Sequence, residues 1–148
     1  MADQIPTSQT LKDFSAERSS KILDAAKKFD GKPYSDGAGE DSGPEDGFDC
    51  SGLVFYVISH EVGHIFEYKN TDSLAVHPML RRLQVPPDAL QAGDIILFRG
   101  HVGFYDPNPP KGKEGRTLYS ATAHGVRNEK PIFWGSALGY FRIRAVSN

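Results

Sequence analysis

A chain of 148 residues has the length of one compact domain, typically about 100 to 150 residues. Its 39% hydrophobic and 24% charged residues exclude a disordered or membrane-embedded chain. A net charge of -2 and a pI near 6.2 offer no basic face to a nucleic acid or an anionic membrane.

The amino end, MADQIPTSQTLKDF, has neither a basic segment nor an apolar run, so it does not read as a secretory signal, and residues 1–14 are expected to be flexible. No later stretch approaches the roughly 20 apolar residues of a membrane span. Across residues 15–30, Ile22, Ala25, Ala26 and Phe29 recur at helical spacing, and Gly31 and Pro33 follow as stop signals, which predicts a first amphipathic helix. Residues 35–47 (SDGAGEDSGPEDG) read as an exposed acidic loop, where charge is ordinarily solvated. Residues 50–62 (CSGLVFYVISHEV) carry Leu53, Val54, Val57 and Ile58 as a helical stripe, which predicts a second helix beginning at or beside Cys50 and capped by Asp49 or Ser51. A third, short helix is expected within residues 71–84, interrupted near Pro78.

From Gln91 onward the pattern changes to strand-like runs at residues 94–98, 101–105, 117–122 and 141–146. Turn formers such as Asp106, Pro107, Asn108, Pro109 and Pro110 separate them, as in an antiparallel meander. Helices first and strands after predict an α+β fold, with helices packed on a curled antiparallel sheet, over one domain spanning residues 1–148.

Cys50 is the single cysteine, so no internal disulfide is available and the thiol needs another explanation. A lone cysteine is most often a small apolar packing residue. At a helix start, however, unpaired N–H groups and aligned peptide dipoles stabilise a thiolate. Gly52 leaves room for a substrate backbone beside it. His101 opens the strand HVGFY, where neighbouring strands can hold a general base rigidly. Taken alone, that histidine would read as an ordinary surface residue in a turn.

The segments PY at 33–34, GFDCSGLVFYV at 47–57, LQAGDIILF at 90–98, HVGFY at 101–105 and the closing FW with YFRIRAV stand in one order. In that order they resemble the NlpC family of papain-like cell-wall cysteine peptidases, over roughly residues 20–146. The resemblance implies a papain-like core that hydrolyses the peptide stem of peptidoglycan, often after D-glutamate, with no cofactor and no metal. It makes Cys50 the nucleophile and His101 the base. It also implies that Tyr34 helps to hold the oxyanion, and that Asp49 and Ser51 contact the amino group of a trimmed stem peptide.

Three features depart from the family pattern. Its third catalytic position falls on Ser120 when Ala121 and Thr122 are the anchor, with His124 as the alternative. Its Pro-Arg-Thr/Ser segment is replaced by Tyr68, Lys69, Asn70 and Thr71. Its secreted members carry a signal peptide and often a wall-binding module, and neither is recognisable here. The expectation is therefore synthesis in the bacterial cytoplasm and action at the cell wall or periplasm of a target cell, as a type VI secretion effector or phage product. Such an antibacterial toxin would need a cognate immunity protein.

Other readings keep the scaffold but change the chemistry to acyl transfer or deacylation, or reduce it to a binding module. A rival motif, HEVGH at 60–64, matches the zinc-peptidase pattern HExxH, with Glu67 as a conceivable third ligand. The zinc reading accounts for one segment and the thiol reading for five. In the family alignment Gly63 ends the second helix and leaves His64 in a loop.

Overall fold

The computed structural model describes residues 11–32, 50–61, 79–85 and 88–146. Helix α1 (Ala16–Lys27) starts where the Ser15 side chain accepts a hydrogen bond from the Arg18 N–H at 3.2 Å, satisfying one of the helix's unpaired donors. Its stripe Ile22, Ala25 and Ala26 is buried together with Leu23, while Phe29, just beyond the helix, is partly buried against the same core. Helix α2 (Cys50–Glu61) buries Leu53, Val54, Val57 and Ile58, the four residues of the expected stripe. The helices pack on each other, and the Phe29 and Tyr56 rings meet edge to face at 5.6 Å.

Seven strands are found among the described residues: β1 (Leu11–Asp13), β2 (Leu80–Arg82), β3 (Ile95–Phe98), β4 (His101–Tyr105), β5 (Leu118–Thr122), β6 (Gly125–Glu129) and β7 (Gly139–Val146). They form an antiparallel sheet in the order β1-β7-β3-β4-β5-β6, with β2 also paired to β7. The fold is thus α+β, with helices packed on a curled antiparallel sheet. Strand β3 is apolar at every position because both faces of the sheet are covered there. Ile95 and Leu97 join the core under the helices, while Ile96 and Phe98 join Leu118 on the other face, packed against Tyr105, Trp134, Ala137 and Tyr140.

Some elements differ from the sequence reading. Residues 80–82, expected to end a third helix, form β2, where pairing to β7 supplies the backbone hydrogen bonds and Arg81 clasps the Asp13 carboxylate at 2.7 to 3.0 Å. Residues 71–78 of that expected helix lie outside the described residues. Within residues 1–14, which were expected to be flexible, Leu11–Asp13 pairs with β7 and Phe14 is buried. Residues 1–10 lie outside the described set, as does the acidic segment 35–47. Strand β6 and a short 3-10 helix, Pro131–Trp134, were not foreseen.

The sheet brings β4 unusually close to β5 at Gly103. A Cβ there would stand 2.7 Å from the Ser120 Cβ and 2.8 Å from both the Leu118 Cδ1 and the Tyr119 carbonyl oxygen. Overpacking of this kind forces backbone shifts. Gly103→Ala is expected to lower unfolding free energy by about 1–3 kcal/mol in denaturant titrations. Wild-type stability in that variant would show that β4 and β5 can separate freely.

Candidate active site

Cys50 is the first residue of α2 and is buried, at 7% exposure. The first turn of that helix carries no acidic side chain, so nothing within it opposes a negative charge on the sulfur. Ser51 and Gly52 are buried beside it. The apolar stripe that follows anchors α2 against β4 and β5, the strands that begin with His101 and contain Ser120. Burial of that stripe therefore fixes the helix start relative to the sheet.

His101 follows the tight turn Arg99-Gly100, which closes the β3–β4 hairpin with Phe98 paired to His101. Gly100 takes a φ of 72°, a left-handed conformation that glycine adopts without a side-chain clash. The imidazole is 3% exposed. Trp134, delivered by the 3-10 helix, stacks on it at 3.7 Å with an interplanar angle of 12°. The His101 Nε2 lies 2.9 Å from the Ser120 Oγ. A hydroxyl can either donate or accept, so this contact alone permits two tautomers. With the proton on Nε2 and donated to Ser120, Nδ1 keeps its lone pair and can act as a base.

Burial pushes the His101 pKa down to about 4, and the Glu129 carboxylate works in the opposite direction. The ring is consequently neutral near pH 7, the state a general base requires.

Ser120 is fully buried and touches the ring, whereas His124 is exposed in the turn after β5 and its backbone N–H bonds to the Thr122 hydroxyl. Between the two candidates for the third position, the structure brings Ser120 to His101. Tyr34 and Asp49 lie outside the described residues, as do Gly63, His64 and Glu67 of the rival zinc reading. His60 is exposed near the described end of α2, its Nδ1 donating to the Tyr56 carbonyl at 2.9 Å and its ring stacked on Tyr56 at 4.0 Å. Among the described residues no three His, Cys, Asp or Glu side chains gather as a metal site.

Two neighbours of the ring were missed as site residues. Trp134 was noted only as part of a family string, because its contact with His101 bridges 33 positions and has no local signature. Glu129 closes GVRNE, a strand too polar for its periodicity to be recognised.

The NlpC/P60 family model matches residues 31–138, and the chain belongs to the NlpC/P60 family. It is 32% identical over 91 residues to the gamma-DL-glutamyl hydrolase of Bacillus subtilis strain 168, a match that takes in 57% of this chain and 20% of that protein. Its fold is similar to the crystal structure of a lipoprotein-like NLP/P60-family protein from Staphylococcus aureus subsp. aureus Mu50, with a TM-score of 0.63 and 27% identity. That superposition covers 97% of this chain and 46% of the other. The chain spans less than half the length of these two relatives. The papain-like fold of the family is the one described above. Among the described residues, no helix is long and apolar enough to cross a membrane.

The lowered basicity of His101 has a consequence for stability. An unfolded chain protonates this histidine near pH 6.5, while the folded protein resists protonation until about pH 4. Stability linked to the neutral ring is therefore intact above pH 6.5 and is lost as pH falls through that window, by up to about 3 kcal/mol. Wild type should lose more unfolding free energy than His101→Gln between pH 7 and pH 4. Equal losses in the two proteins would contradict a desolvated ring.

Proposed function

We propose that this chain is a cysteine peptidase or amidase that hydrolyses amide bonds in the peptide stem of bacterial peptidoglycan, with Cys50 as nucleophile and His101 as base. The observation that carries this reading is the buried His101 ring bonded through Nε2 to Ser120, within a chain of the NlpC/P60 family. Support also comes from α2, which starts at the cysteine and packs on the strands of His101 and Ser120. The name of the Bacillus subtilis relative favours a glutamyl bond as the one cut.

In this mechanism the Cys50 thiol transfers its proton to the His101 Nδ1 as the sulfur attacks the carbonyl carbon. The tetrahedral oxyanion collapses, the C–N bond breaks, and the imidazolium returns its proton to the departing amine. The resulting thioester is attacked by water, whose proton passes to Nδ1, and the acid is released as the thiol reforms. Ser120 accepts the Nε2 hydrogen throughout and so positions the ring. Tyr34 is assigned to the oxyanion, and Asp49 and Ser51 to the amino group of the stem peptide.

Turnover of purified peptidoglycan by single variants tests these assignments. Cys50→Ala is expected to abolish activity without unfolding the protein. His101→Ala should cost about 10²- to 10⁴-fold near neutrality, with partial recovery at alkaline pH as the thiol ionises unaided. Ser120→Ala should cost less than His101→Ala, and His124→Ala should have little effect. Thiol alkylation should destroy activity and chelators should leave it intact. Full turnover by a folded Cys50→Ala protein, or chelator-sensitive hydrolysis with one equivalent of bound zinc, would refute the thiol mechanism.

A further inference from the structure

A buried carboxylate that the mechanism does not use stands on the face of the sheet that carries His101. Along β5, Leu118, Ser120 and Thr122 alternate onto the same face, and β6 sets Glu129 beside Leu118, Arg127 beside Ser120 and Gly125 beside Thr122. Glu129 is 4% exposed. Its Oε2 accepts from the Arg127 Nε at 2.6 Å and from the Thr122 hydroxyl at 3.3 Å. A carboxylate that starts opposite Leu118 and reaches Thr122 passes along the flank of Ser120, the hydroxyl bonded to the His101 ring.

We propose that Glu129 is a positioning residue for the thiol–imidazole pair, supplying from β6 the negative charge that the Ser120 hydroxyl does not carry. The proposal rests on the assignment of Cys50 and His101 as that pair. A neutral hydroxyl orients the ring but does little for the positive charge that forms when the ring takes the thiol proton. A carboxylate within a low-dielectric face acts on that charge without touching the ring. Burial and Glu129 oppose each other at His101, which is the sign this role requires.

Arg127, itself 35% exposed, tempers the effect by pairing with the same carboxylate oxygen. The other elements against the ring supply Phe98 from β3 and Trp134 from the 3-10 helix, neither of them charged. Arg99 is exposed in the preceding turn, and Asp94 is bound to Arg142 at 2.8 Å at the opposite end of β3. Of the described acids, Glu129 is thus the one placed to act on the ring.

The test is an NMR titration of the His101 ring in the full chain carrying Cys50→Ala, with Glu129→Gln and Arg127→Gln added separately, beside pH profiles of kcat/KM for the same substitutions in the active protein. Glu129→Gln should move the ring titration and the acidic limb of the profile to lower pH and reduce kcat/KM several-fold. Arg127→Gln should move both to higher pH, and Glu129→Asp should restore the wild-type direction. A shift of about half a pH unit corresponds to roughly a threefold change in proton affinity. Ring titrations unmoved in both folded variants overturn this proposal alone, as do shifted titrations with an unchanged profile. Retained activity in Cys50→Ala overturns the underlying assignment and the proposal with it.

Discussion

The structure depends on the withdrawal of one imidazole from water. Burying a polar ring costs free energy unless its nitrogens are satisfied, and His101 meets that condition at Nε2 through Ser120 while Trp134 covers its face. Several local features serve this placement. The Arg99-Gly100 turn sets the ring at the first residue of β4. The absence of a side chain at Gly103 lets β5 approach closely enough for Ser120 to meet the ring. The 3-10 helix, opened by Pro131, carries Trp134 back across the sheet.

A second set of polar contacts holds the strands that carry these groups. Lys27 at the end of α1 reaches the buried Asp106 carboxylate at 2.8 Å, and the Asn128 side chain donates to the same carboxylate at 3.0 Å. Burial alone would raise the Asp106 pKa, but Lys27, Asn128 and the Asn108 N–H together hold it below its ordinary value. The Tyr119 phenol donates to Asp30 at 2.7 Å, tying β5 to the segment after α1. These bonds lie on the helix side of the sheet, whereas Ser120, Arg127 and Glu129 face the other way. Alternation along two adjacent strands thereby separates a fastening network from the groups around the imidazole.

This division explains what could be read from the sequence. The apolar stripes of α1 and α2 and the runs at β3 and β4 were legible because their burial follows helical or strand periodicity. The helix start at Cys50 and the strand start at His101 were legible as local patterns, whereas the roles assigned to the two residues rest on the order of the five family segments. Strand β6 was hidden because Arg127, Asn128 and Glu129 are accommodated by polar partners, Arg127 and Glu129 by each other, Glu129 also by Thr122, and Asn128 by Asp106 and the Arg116 carbonyl, not by an apolar face. Strands β1 and β2 are three residues each, too short for a period, and are defined by β7. Trp134 and Glu129 acquire meaning only through contacts made after the sheet forms. The different surroundings of Ser120 and His124 follow from the same fact, since β5 sets Ser120 against the ring while His124 is exposed in the turn that follows.

We propose that a thiol and a neutral imidazole on this scaffold hydrolyse an amide bond in the peptide stem of the cell wall. Mass analysis of the soluble fragments released from purified peptidoglycan tests it most directly. The expected products are fragments with one stem-peptide amide converted to a free amine and a carboxylate, the glycan strands intact, and no such products from Cys50→Ala. Cleaved glycan with every stem amide intact, or the same peptide products from folded Cys50→Ala, would contradict it.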